Sequence, residues 1–176
     1  MNPAREKAAT MLIERLADAC GGLVWISEQM MLCQRRLAMA ELDKLDAGSL
    51  ATGVAENAPG ALDDGTIALL ARSSRRYAQH GGWWRDLLPD SPALNSASRI
   101  GPPTQQWADT FNQLSDVSPS QAIITLHTEV LDELRLHIEK LLELASPISE
   151  GAFMRVAQMV LADLATEQVA RKELRA

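Results

Sequence analysis

Apolar residues recur at steps of three and four along the opening stretch of the chain. Leu12, Leu16, Ala19, Leu23, Ile26, Met30, Cys33 and Leu37 keep one phase, the pattern of a single helical stripe. Asn2 can cap such a helix and Pro3 suits its first position, so a helix is predicted from Pro3 to about Asp46. Gly21-Gly22 falls inside the series without shifting its phase. A true break usually resets the register. One long helix bent at the glycines is therefore expected, in preference to two helices parted there.

The rest of the chain reads the same way. Residues 47–63 form a loop, after which Asp63 or Asp64 caps a helix from about Gly65 to Gln79. Its inner face is expected to carry Ile67, Leu70, Ala71, Ser74 and Ala78, and Gly81-Gly82 should end it. "WWRDLL" reads as a short helical turn and residues 89–102 as a long irregular connection. A modest helix from Pro103 to about Ser115 carries Trp107 and Phe111. Ser118 and Pro119 start a helix that runs to about Ala145. Ser146 or Ser149 then caps the last, from about Glu150 to Leu174, with Phe153, Val156, Ala157, Val160, Leu161 and Leu164 inward. No sustained period-two alternation marks a strand.

These elements predict an all-α fold, a helical bundle of three long helices plus one or two shorter ones, mostly antiparallel, in a single domain over residues 1–176. The first helix is much longer than the second. Its surplus stripe is covered either by the loop and the "WWRDLL" turn or by a second copy of the protein, which makes a homodimer an expectation.

Composition narrows the partners. The net charge of −6 argues against bulk affinity for nucleic acid or an anionic membrane, although a local basic patch can still bind. No apolar run approaches the length of a membrane span, and the first residues lack the apolar core of a secretory signal. On one helix, Cys20 and Cys33 sit about 19 Å apart, too far for a disulfide. Both are read as reduced and buried, which points to the cytoplasm.

Against this acidic background "RSSRRYAQHGGWWRD", residues 72–86, concentrates arginine and tryptophan. Arg72, Arg76 and His80 follow at steps of four and lie away from the Ile67/Leu70 face, so they are expected to be exposed. Together with Trp83, Trp84 and Arg85 they form the candidate partner-binding surface, because tryptophan and arginine beside a loop are the residues that anchor interfaces. The alternative is a solvated helix end with the tryptophans folded back as a lid.

Arg75 and His80 are separated by four residues, and this resembles the arginine-histidine signature of the HEPN ribonuclease family. The resemblance covers these two positions. It implies metal-independent RNA cleavage by the pair, typically across a dimer.

His127 is predicted at the middle of an apolar face formed by Ile123, Ile124, Val130, Leu131, Leu134, Ile138 and Leu141. A buried neutral histidine needs partners or ligates a metal. The di-iron pattern of Glu-x-x-His on two helices is missing, however, so no metal and no cofactor are expected. Ser27, Gln34 and Glu41 form a polar line on the first helix, and Trp25, Met30, Gln34, Glu41 and His127 are the residues expected to line an internal ligand pocket if the bundle holds one. No phosphate-binding loop, His-Glu-x-x-His or Cys-x-x-Cys motif is present. The first expectation is therefore a non-enzymatic adaptor, regulatory or assembly protein that binds a protein partner, including a second copy of itself. A bundle with a small-molecule or cofactor pocket comes next, and a HEPN-like RNA-acting protein third.

Overall fold

Among the described residues, six α-helices account for the architecture. The computed structural model describes the backbone of residues 3–51, 64–89 and 95–173, and their side chains except at 3–9, 41, 44–51, 96 and 170–173. Helix α1 (Pro3–Ala51) runs unbroken through Gly21-Gly22, as the constant phase implied, and ends later than expected. Helix α2 (Asp64–Asp86) returns along it. A 3-10 turn (Ser96–Arg99) leads to α3 (Gln105–Asp116). A long rod follows, made of α4 (Pro119–Thr125), one π turn (Leu126–Val130) and α5 (Leu131–Leu144), and α6 (Gly151–Glu173) closes the bundle. No strand occurs among the described residues.

The rod starts where the sequence says. Ser118 Oγ accepts the N–H of Gln121, and Pro119 occupies the first turn, where its missing N–H costs nothing. A short turn reverses the chain into α6, with Glu150 N–H donating to Ser146 O. Gln168 of α6 donates to Asp132 of α5, which ties the end of one helix to the start of the other as an antiparallel pair.

Helix α1 is the central element. Its predicted stripe is buried at Leu23, Ile26, Met30, Cys33 and Leu37, but burial is not confined to one face. Gly21, Gly22, Leu23 and Val24, four successive residues that point all round the helix, are all buried. The cause is packing on two sides. Ser74 Oγ of α2 donates to Met31 O on one side, and the chain around Arg99–Pro103 presses on Gly21 and Gly22 on the other. One apolar cluster then draws side chains from all six helices, including Leu70 and Trp84 of α2, Trp107 and Phe111 of α3, Ile123 and Ile138 of the rod and Phe153 and Leu164 of α6.

Two local expectations are corrected. Helix α2 does not stop near Gln79 but continues through both glycines and takes in Trp83 and Trp84. A glycine pair lowers helix propensity by about 1 kcal/mol per residue, which tertiary packing overrides here. Ahead of α2, Asp63 and the remainder of the predicted loop, 52–63, lie outside the described residues. In the rod the π turn shifts the register, so Leu126 rather than His127 continues the buried face from Ile123 to Val130, and Ile124 is exposed. His127 stands half-buried at its margin.

Candidate functional site

The extension of α2 decides how the 72–86 segment is presented. Its buried residues are Ile67, Leu69, Leu70, Ser73, Ser74, Tyr77, His80, Gly81 and Trp84. His80, expected to be exposed, and Trp84, expected either on the partner-binding surface or folded back as a lid, are therefore core residues, 0% and 1% exposed. Trp84 packs at 5.6 Å from the Phe153 ring, and Trp83, half-buried, leans over His80 at 5.4 Å. Arg72 is exposed. Arg85 is exposed too and pairs with Glu28 of α1. Arg76 is half-buried and donates to Asp163 O of α6 at 3.4 Å. Ala78, placed inward by the pattern, is exposed.

His80 belongs to a polar seam between α2 and α6. Its Nε2 lies 2.9 Å from Asp163 Oδ2, and Tyr77 Oη donates to Glu167 Oε2 at 3.0 Å. Asp163 and Glu167 are one turn apart, as are Tyr77 and His80, so two short rungs cross between the helices. Because the carboxylate accepts, Nε2 carries the ring proton. Nδ1 is buried without a hydrogen-bond partner. A second ring proton would lack an acceptor, and burial accordingly pushes the His80 pKa down, against the pull of Asp163 and Glu167; Arg76 adds to the push.

This fixes a pH dependence. Unfolded, His80 takes up its proton near the ordinary 6.5; folded, it does so only at lower pH. Between those values the unfolded state holds more protons, so stability present above pH 6.5 is lost as the pH falls. His137 is shifted the same way, by burial and then by Lys140. Urea midpoints between pH 7 and pH 5 are expected to fall less steeply for His80→Gln than for the natural chain, with the remaining histidine slope due to His137. Equal slopes would remove His80 from this account.

On the opposite side of α2 an apolar groove of about 360 Å³ runs between α1 and α2. Ala38, Ile67 and Ser74 are its buried residues, and small side chains there leave the space open. Met39 and Leu42, 50% and 42% exposed, stand as apolar walls above them. Arg35 of α1 and Arg75 of α2 are exposed and also line it, one guanidinium from each helix. Arg75 thus faces the groove while His80 faces α6, and α2 does not bring together the two residues of the ribonuclease-like pair.

The residues chosen for an internal pocket differ in where they stand. Met30 and Gln34 are fully buried, and Gln34 keeps both ends of its amide without a hydrogen-bond partner. Trp25 lies half a turn out of phase with Gln34 on α1 and sets its ring edge-on to Phe111 at 5.6 Å. His127 is on the rod. The side chain of Glu41 lies outside the described residues. Both cysteines are free and buried; burial, with Glu150 nearby, pushes the Cys20 thiol up to about 12 and burial raises Cys33, which keeps both as unreactive thiols. Among the described residues no three His, Cys, Asp or Glu side chains are placed to share a metal ion, and no helix is long and apolar enough to cross a membrane.

Sequence reasoning missed Asp163 and Glu167, and it missed Arg35, Met39 and Leu42. For Glu167 a signal existed: Phe153, Ala157, Val160 and Leu164 set a buried 4-3-4 stepping that reaches Glu167 next. For the groove the signal was weaker: Ala71, Ser74 and Ala78 form a run of small residues along α2. No protein-family model, curated protein or solved structure matches the chain.

Proposed function

We propose that the bundle is a protein-interaction module, an adaptor or assembly factor, that receives an acidic amphipathic helix of a partner protein in the α1–α2 groove. The observation that carries this is the groove's makeup, with apolar walls open to solvent at Met39 and Leu42 and an exposed arginine from each helix beside them. An amphipathic helix lays alternate turns of apolar side chains into such a groove. Asp or Glu flanking those side chains would meet Arg35 and Arg75, and Arg72, three residues before Arg75 on the helix surface, extends the cation.

Charge argues for an acidic partner over a second copy. An isologous pair docked through this groove would gather Arg35 and Arg75 of both subunits around one axis, which like-charge repulsion opposes. The net charge of the chain is −6, so the arginines form a local exception that favours anionic segments. A reducing compartment, the cytoplasm, belongs to the same reading and is supported by two free, buried thiols.

The test is selection of a displayed library of helical peptides on the full-length protein. Enriched binders are expected to carry apolar residues at three- and four-residue spacing with Asp or Glu beside them. Their affinity is expected to fall roughly tenfold or more on the Arg35→Glu, Arg75→Glu double variant and to weaken with salt. Binders held equally by the double variant would overturn the groove as the site. Concentration-dependent dimers in sedimentation that Met39→Glu dissolves would replace the acidic helix with a second copy.

A further inference from the structure

A second concave site lies at the other end of α1 and shares no residue with the groove. It exists because of Gly21-Gly22. Arg99 O comes so close to α1 that a Cβ at Gly21 would stand 2.2 Å from it, and a Cβ at Gly22 would stand 2.8 Å from Pro103 Cγ. The segment from Ser98 to Pro103 can therefore lie flat across the helix as a strap. Beside it opens a cleft of about 580 Å³, walled by α1, the strap, the end of α5 and the start of α6, within the size range of small-molecule sites.

Its lining has an apolar body and a charged edge, on which the carboxylates Asp18 and Glu150 face two arginines. Leu16, Leu141 and Phe153 supply the body. Arg15 and Arg99 supply two guanidiniums, and they differ in how firmly they are held. Arg15 Nη2 donates to both carboxylate oxygens of Glu150, at 2.9 and 2.8 Å. Glu150 is itself 5% exposed and also accepts the Ser146 N–H at 2.7 Å, so that pair is built into the α5–α6 turn. Arg99 Nη1 donates to Asp18 Oδ1 at 2.6 Å, but Asp18 is 60% exposed. Exposed pairs of this kind contribute little net stability, because water solvates both partners nearly as well. Arg99 is thus the cation that a ligand can recruit, and its Nη2 and Nε remain without a protein partner among the described residues.

We infer that the cleft binds a small organic acid, an apolar body resting on Leu16, Leu141 and Phe153 with its carboxylate drawn to Arg99 in place of Asp18. The apolar walls lower the local dielectric, so a carboxylate delivered with its own hydrocarbon cover holds the guanidinium more strongly than the exposed Asp18 does. His137 also lines the cleft, with its ring edge-on to Trp107 at 6.0 Å. Burial and Lys140 keep it neutral near pH 7, so it adds no third cation and offers one ring nitrogen as a hydrogen-bond acceptor.

Octanoate is a suitable probe, with octan-1-ol as the match that has the same chain and no charge. Isothermal titration on the full-length protein is expected to show octanoate binding and octan-1-ol binding roughly tenfold or more weakly. Arg99→Gln should erase that preference. Asp18→Asn should tighten octanoate several-fold, because it removes the competing carboxylate; a purely structural role for the pair gives no such gain. Arg35→Glu should leave the titration unchanged, which separates the cleft from the groove. Equal affinity for acid and alcohol, no binding of either, or an Asp18→Asn variant that binds octanoate no better would each overturn the inference.

Discussion

Trp84→Ala is expected to cost about 3–5 kcal/mol of folding stability, the range for truncating a buried tryptophan. The ring is 1% exposed and faces Phe153 at 5.6 Å. Its removal takes away the largest fully buried side chain of α2 and leaves a void between α2 and α6 that packed neighbours refill only in part. Domains of this size hold roughly 5–15 kcal/mol in total, so the melting temperature should drop by on the order of 10 °C. Its neighbours provide the contrast. Arg85→Ala breaks only an exposed pair with Glu28 and should stay within about 1 kcal/mol. Urea denaturation of the two variants checks the ordering. A Trp84→Ala variant as stable as the natural chain would return the tryptophan to the surface, as the partner-binding expectation had it.

Why the sequence misplaced Trp84 and His80 is physical. The α2 pattern offered two overlapping faces. One, the expected inner face, ran through Ile67, Leu70, Ala71, Ser74 and Ala78, and of these Ile67, Leu70 and Ser74 are buried. The other ran through Ser73, Tyr77, His80 and Trp84 and looked half polar. The chain buries the second as well, because Asp163 and Glu167, more than eighty residues away, accept from His80 and Tyr77. A helical period reports the apolar content of a face; it cannot report that a distant helix will satisfy that face's polar groups. The same reasoning explains the groove. Beside the buried Ile67, half-buried Ala71 and exposed Ala78 leave an apolar surface between two helices, and Arg75 lies with them.

Elements whose signals are local were legible. Ser118 and Pro119 start the rod, and Phe153, Ala157, Val160 and Leu164 face inward as their spacing required. The unbroken course of α1 followed from its phase. The π turn was not legible: one wider backbone turn changes which residue faces the core without altering the composition of the stretch. Nor was the encirclement of α1, since a single stripe counts apolar positions on one side. Gln34 and Ser27 nevertheless sit buried within it, so two members of the polar line on that helix face inward as their spacing suggested, and the side chain of the third, Glu41, lies outside the described residues.

The glycines of α1 and α2 give the second large effect, and it has opposite signs at two positions that look alike in sequence. Gly21→Ala is expected to cost about 2–3 kcal/mol. Alanine improves helix propensity by roughly 1 kcal/mol, but its methyl would have to occupy space 2.2 Å from the carbonyl oxygen of Arg99 and 2.7 Å from its carbonyl carbon. Those atoms are backbone, so no rotamer change relieves the clash, and the strap must lift. Lifting it separates Arg99 from Asp18 and opens the floor of the cleft, so octanoate binding should be lost together with the stability. Gly82→Ala meets no atom within 4 Å, and α2 continues through it. Here the propensity gain acts alone, and stability should rise by about 0.5–1 kcal/mol. Differential scanning calorimetry of the two variants is expected to move the melting temperature in opposite directions. A stabilising Gly21→Ala would mean that the strap does not rest on α1, and the cleft would lose the wall on which Arg99 is carried.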